Sequence, residues 1–248
     1  MPGAACCLPL LTRSHSARLV AQELGAEEGE SSAGAGLWAH SLPAAEPGAI
    51  LLANPALFSD SQQYFQRAAI FLFSHSAEGS SGLILNRRTE HTLGGIAGAA
   101  PFLPTFASSP LYLGGDVGRS SLHVLHADNP TALPSSTTVV PGVAMGGFAD
   151  AVKAVESGQM AASDFRFFTR YAGWGPGQLE EEVRSGVWFV AAAAAGVVLN
   201  EPPDAALRPG EEARKGGGPH GLWAKILRLM GGEFAALAEA ESGSRESD

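Results

Sequence analysis

The sequence predicts an α+β fold, and three observations predict it. Eight short apolar runs are bounded by Gly, Pro, Ser or Asn, which is the pattern of strands. Only three segments read as helices, two by apolar residues at helical spacing and one by its end signals. The two kinds of segment do not alternate regularly, as a doubly wound parallel sheet would require. With 248 residues, 45% of them hydrophobic and only 17% charged, the chain can hold one large core and have tails to spare.

Along the chain, residues 1–36 are expected to be a leader and a flexible acidic linker. Met1 to Gln22 contains Arg13, Arg18 and several hydroxyl residues but no acid, the composition of a transit peptide. Residues 23–36 are polar, acidic and glycine-rich. The adjacent Cys6 and Cys7 supply neither an unstrained disulfide nor a zinc framework. The body is expected over 37–200. Its strands fall at Ala49–Ala53, Ala69–Phe73, Gly82–Leu85, Leu111–Leu113, Ser121–Leu125, Thr137–Val140, Phe165–Thr169 and Val187–Ala192.

Phe148, Ala151, Val152 and Val155 share one face of a helix that stops at Gly158. A second helix is expected over Pro176–Ser185, with Pro176 at its first position and three glutamates in the opening turn. Gly186 to Asn200 is uncharged but shorter than the ~20 residues a bilayer needs, so it reads as a buried strand or helix and no membrane span is expected. A loop over 201–219 separates the body from a docking C-terminal helix, 220–238, with Leu222, Trp223, Ile226, Leu227 and Met230 on its apolar face. Residues 239–248 read as a disordered polar tail.

Charge narrows the function classes. The net charge is −9, which argues against coating a phosphate backbone with Lys and Arg. More than half of that excess lies in the tails, and residues 37–200 carry only −4. A local contact through Arg87, Arg88 or Arg170 therefore remains open.

Standard site motifs are absent. There is no Gly-Lys-Ser/Thr phosphate loop, no G-x-S-x-G elbow, no HExxH and no Cys/His spacing for zinc. No metal or cofactor is expected. His123 and His126 stand three apart in a strand-like run and so face opposite ways. His75, between Ser74 and Ser76, has no acid identifiable as its partner in the sequence. Glu180, Glu181 and Glu182 radiate around one helix and do not make a shared carboxylate site.

One stretch stands out. Residues 171–180, YAGWGPGQLE, set Tyr171 and Trp174 among three glycines that lead into a helix. Glycine permits close backbone approach, and the aromatics offer apolar area with a polar tip. Two readings stay open: a ligand or partner contact, and an aromatic anchor at a strand-to-helix turn.

That stretch, continued through Glu182 and Val187-Trp188-Phe189-Val190-Ala191-Ala192, resembles the signature of the AlgH/YqgE family. Further resemblances follow in order: Gly48–Ala53, Phe65–Leu72, Gly82–Arg87, and Tyr112-Leu113-Gly114-Gly115 with Val117. Arg88 and Asp116 stand where the family usually has proline, and Arg170 where it has glycine. The flanks Ala17–Glu23, Trp38–His40 and Leu222–Gly232 resemble plant and algal members.

The resemblance implies a single α+β domain with a bent, branched, mostly antiparallel sheet and packed helices. It implies no established reaction; bacterial members carry the label of transcriptional regulator, although no DNA-binding motif is present here. It also implies a plastid (chloroplast) location, with the cytoplasm as the alternative. Two functional classes follow. One is a non-enzymatic regulatory or interaction domain acting on a protein partner rather than directly on DNA. The other is a small-molecule or nucleotide-binding protein, with enzymatic activity left open. Its site would combine Asn86 and Arg87, Gly114 and Gly115, and Tyr171, Gly173, Trp174 and Gln178.

Overall fold

The computed structural model describes residues 36–58, 64–95, 104–200 and 221–243. The expected leader with Cys6 and Cys7, the 201–219 loop and residues 244–248 lie outside these. Eleven strands are described: β1 (Ala39–Ser41), β2 (Ile50–Ala53), β3 (Ala69–Ser76), β4 (Gly79–Ile84), β5 (Arg88–Thr92), β6 (Pro110–Leu113), β7 (Val117–His126), β8 (Ser136–Val140), β9 (Val143–Gly146), β10 (Arg166–Trp174) and β11 (Trp188–Ala193). The helices are α1 (Phe148–Glu156), α2 (Gln178–Arg184), α3 (Ala195–Leu199), α4 (Leu222–Met230) and α5 (Gly232–Gly243). Every expected apolar run falls on a strand. β1, β5 and β9 were not expected, being three to five residues long and polar or glycine-interrupted.

The strands form one sheet in the order β1-β11-β2-β3-β4-β10-β7-β9-β8. All of these pairings are antiparallel; among the described residues only β6 pairs in parallel, on β10, and β5 then pairs with β6. The apolar runs are continuous because β2, β3 and β4 are covered on both faces. Ile50, Leu52, Phe71, Leu83 and Leu85 face a core closed by Leu222, Trp223, Ile226 and Leu227 of α4. Leu51, Ala53, Ile70, Leu72 and Ile84 face a second core with Leu179 of α2, Trp174 and Trp188. A third core packs α1 through Ala151 and Ala154 against Val124 and Phe167.

β10 branches the sheet. Its first half, Phe167–Thr169, pairs with both β6 and β7, while its last residues, Ala172–Trp174, pair with β4. Arg170 lies between the halves at φ +62°, where the register with β7 shifts. Gly114 leaves β6 at this junction, donating its N–H to Thr169 O (2.8 Å) and accepting from Ile84 N (2.9 Å).

Three boundaries differ from the sequence expectation. Helix α2 begins at Gln178, because Gly177 adopts φ +72° and sets the entry angle; Pro176 lies outside the helix. The expected 220–238 helix is two helices, broken where Gly231 and Gly232 take φ +74° and +54°. The second runs to Gly243, so the first part of the expected polar tail is helical. The uncharged segment 186–200 is divided between β11 and α3, and no described helix is long and apolar enough to cross a membrane.

Candidate functional site

The signature stretch builds a cleft at the end of β10. Strand alternation sends Ala172 and Trp174 to one face and Tyr171 to the other. After Trp174 the chain turns through Gly175, whose N–H donates to Gln178 Oε1 (3.0 Å). Leu179, fully buried, anchors α2 on the sheet. One turn of helix later, Glu182 comes level with Trp174 and with Trp188 at the start of β11.

Glu182 organises the site. Its Oε2 accepts the indole N–H of Trp174 (2.9 Å) and that of Trp188 (2.6 Å). Its Oε1 accepts from the Gln178 side-chain amide (2.9 Å), an i,i+4 pair on the helix. The indoles stand 6.1 Å apart at 83°. Phe58 and Phe65 pack edge-on to Trp188, at 5.3 and 6.1 Å. Together with Asp116, these groups line a cleft of about 300 Å³.

The sequence candidates separate. Gly173, Trp174 and Gln178 line the cleft. Tyr171 lies on the opposite face, beside Phe73 (6.4 Å) and His123 (5.7 Å). Asn86 is buried and acts as a backbone brace, accepting from Ala69 N (3.0 Å) and donating to Arg67 O (2.9 Å). Arg87, also buried, donates to Asn86 O (3.2 Å) and to Gln66 O, so its guanidinium is turned into the protein. Gly114 and Gly115 are wedged against β10: a Cβ on Gly115 would lie 1.8 Å from the Tyr171 carbonyl carbon. The three loops therefore do not present these side chains to one concave surface; beside the Tyr171–Gln178 loop, only Asp116, the residue after Gly115, reaches the cleft.

Glu182, Trp188, Asp116, Phe58 and Phe65 were not among the sequence candidates. The readable signal was the Gln178–Glu182 spacing, which places two polar groups on one helix face. The other partners come from separate elements and meet only through the sheet.

Other polar clusters serve different ends. A larger cavity of about 610 Å³ is lined by Tyr112 and Arg166. Arg166 donates to Leu85 O (2.8 Å) and Val198 O (2.5 Å) and lies 4.7 Å from the Tyr112 ring centroid, joining β10 to the residue that follows β4, to α3 and to β6. His75 Nδ1 lies 2.7 Å from Ser80 Oγ, and its Nε2 lies 3.8 Å from Glu180 Oε1. Ser80 is buried between paired strands, and neither it nor His75 lines either cavity. Glu181 pairs with Arg184, so the three glutamates have three separate partners. His126 is buried with its ring nitrogens at Ala127 O and Gly146 O, away from His123. Among the described residues, no group of three or more His, Cys, Asp or Glu could hold a metal.

A family model described as AlgH-like matches residues 50–235. A UPF0301 protein of Chlorobium phaeobacteroides is 32% identical over 197 residues, spanning 79% of this chain and 92% of its own. A UPF0301 protein of Streptomyces coelicolor is 33% identical over 207 residues, spanning 77% and 90%. In three dimensions, a crystal structure of a Corynebacterium diphtheriae protein superposes with a TM-score of 0.58 at 21% identity, covering 80% of this chain and 93% of its own. The solution structure of the AlgH protein from Pseudomonas aeruginosa gives 0.52 at 24% identity, covering 66% and 86%. These two structures establish likeness of fold.

Proposed function

This chain belongs to the AlgH-like family, and from that premise we propose that it is a non-enzymatic interaction domain that takes a protein partner at the Trp174–Trp188 cleft. The observation that carries this reading is the state of Glu182. Three neutral donors hold its carboxylate in place, so it ties the Trp174 and Trp188 indoles and Gln178 together and shapes the cleft. Around it the half-buried Phe58 and Phe65 are of a residue type enriched where partners bind, over a floor formed by the buried Trp174 and Trp188.

The combined small-molecule site has less support, because Arg87 is buried against backbone carbonyls and Gly114 and Gly115 are filled by β10. A protein partner is favoured over DNA by the net charge of the body, −4 over residues 37–200, which argues against a coat of phosphate contacts. The regulatory role implied by the family label would then be exercised through that partner.

The test is capture of binding proteins by wild-type chain and by Asp116→Arg and Gln178→Arg, both at exposed positions on the cleft. The exposed β5 variant Glu90→Arg serves as control. Partners lost with both cleft variants and kept by the control support the reading; an unchanged set contradicts it. Steeply salt-dependent binding to random duplex DNA would contradict the protein-partner assignment.

A plastid location is supported by the composition of residues 1–22; the relatives compared above are bacterial. A fluorescent reporter fused to residues 1–36 and expressed in an algal cell should enter the plastid, and retention in the cytosol would reject that location.

A further inference from the structure

Helix α5 joins the body through a glycine pair. Gly231 and Gly232 take φ +74° and +54° with open space at the Cβ position of each, so they bend the chain between α4 and α5 without being packed in place. Beyond them α5 lies on α4, with Phe234 edge-on to Phe189 of β11 (5.4 Å) and Ala238 buried. Its last turns are fixed by polar contacts. Arg228 Nε donates to Glu239 Oε1 (2.6 Å), Arg228 also donates to Ser242 Oγ (3.3 Å), and Glu241 pairs with Arg67.

Arg67 is strained. It is the third residue of a four-residue turn, Phe65–Ala68, closed by Ala68 N donating to Phe65 O (3.0 Å). Its φ of +52° lies in the left-handed region, which disfavours a residue with a Cβ. Such conformations persist where the surroundings impose them. Two restraints come from the core: the buried Asn86 donates to Arg67 O (2.9 Å), and the buried Arg87 donates to Gln66 O. The pair with Glu241 is of another kind. Its side chains are 18% and 28% exposed, so salt and competing charges reach it.

This turn carries a wall of the cleft. Phe65 stands edge-on to Trp188 (6.1 Å) and lines the cleft beside Phe58. Turning Arg67 out of the left-handed region redirects the chain just after Phe65.

We infer that α5 is a strap that sets this wall: pivoting at Gly231-Gly232, it brings Glu241 to Arg67, and the ion pair locks the Phe65–Ala68 turn so that Phe65 closes one side of the cleft. Release of the pair loosens the turn and opens that side. The consequence for a partner rests on the reading of the cleft as its contact; the coupling itself is a property of the chain alone.

The test is amide hydrogen exchange of the full ¹⁵N-labelled chain at low salt, without a partner, in wild type, Glu241→Gln, Arg67→Gln and the double variant. The reporters are the amides of Ala68 and Ala69, bonded to Phe65 O and Asn86 Oδ1, and the indole N–H of Trp188, assigned by Trp188→Phe. The amides of Val124 and Leu125 in β7 report the stability of the sheet. Glu241→Gln should speed exchange at Ala68 and Ala69 by about two- to fivefold and shift the Trp188 signal, with Val124 and Leu125 unchanged. Roughly 1 M salt should bring wild type to the same values. In the Arg67→Gln background, Glu241→Gln should add nothing.

Unchanged exchange at Ala68 and Ala69 in Glu241→Gln, or an unmoved Trp188 signal, would overturn the strap. So would an acceleration shared by Val124 and Leu125, or an effect of Glu241→Gln that persists in Arg67→Gln. Each outcome is read without a partner and so stands apart from the capture experiment that tests the cleft.

Discussion

Arg170 is the clearest case of a residue at odds with its backbone. It holds φ +62°, a conformation that costs a residue with a Cβ roughly 1–2 kcal/mol. That explains why a glycine suits the position and locates the strain at the branch of β10. Arg170→Gly should raise stability by about 1 kcal/mol after glycine's larger unfolded-state entropy is set against the relief, as measured by urea denaturation. His123 shows a second residue-scale effect. Burial beside Phe73 and Tyr171 holds its pKa below the ordinary 6.5. The unfolded chain therefore binds the proton more readily, and this histidine's contribution to stability falls as pH drops from about 6.5 toward the folded-state value. His123→Phe, which keeps an aromatic ring there, should flatten the decline in Tm between pH 7.5 and 5.5. An unchanged slope would assign that decline to other groups.

Among elements, β10 and α4 control the architecture. At Gly115 the chain passes so close to β10 that a Cβ would overlap the Tyr171 carbonyl carbon, whereas Gly95 has open space. Gly115→Ala should cost more than about 3 kcal/mol and Gly95→Ala almost nothing, compared by thermal denaturation. Helix α4 closes the first core with five buried apolar side chains, and Trp223 Nε1 donates to Ala53 O (2.9 Å). Trp223→Phe should lose about 1–2 kcal/mol by leaving that carbonyl unsatisfied, while truncation after residue 220 should expose the core and yield an aggregating chain. β2, β3 and β4 were legible because two covered faces make their sequences continuously apolar. The other five expected strands were legible because short apolar runs are bounded by turn residues. The edge segment β5, Arg-Thr-Glu-His-Thr, has no buried residue and thus no pattern to read. The α4–α5 break was written in Gly231-Gly232, but the acidic sequence after it resembles a solvated tail. α5 instead gains a tertiary tie, Glu241 to Arg67, that no local pattern encodes.

On the scale of the whole molecule, the family was legible and its chemistry was not. The YAGWGPGQLEEE stretch marked the right part of the surface, but spacing alone could not say which of its side chains face outward. Strand alternation divides Tyr171 from Trp174, and packing across β10, α2 and β11 selects Glu182 from three consecutive glutamates. Asn86, Arg87, Gly114 and Gly115 belong to the same resemblance because the branched sheet needs them: they brace the β4–β5 turn and allow β6 to yield its place on β10 to β4. The central claim is that the molecule meets its partner through the cleft. Hydrogen–deuterium exchange of the full chain, alone and bound to the first partner that capture identifies, tests this most directly. The account predicts new protection over 173–188 and around Phe58 and Phe65; protection confined to the β1 or β8 edge, with the cleft unchanged, would contradict it.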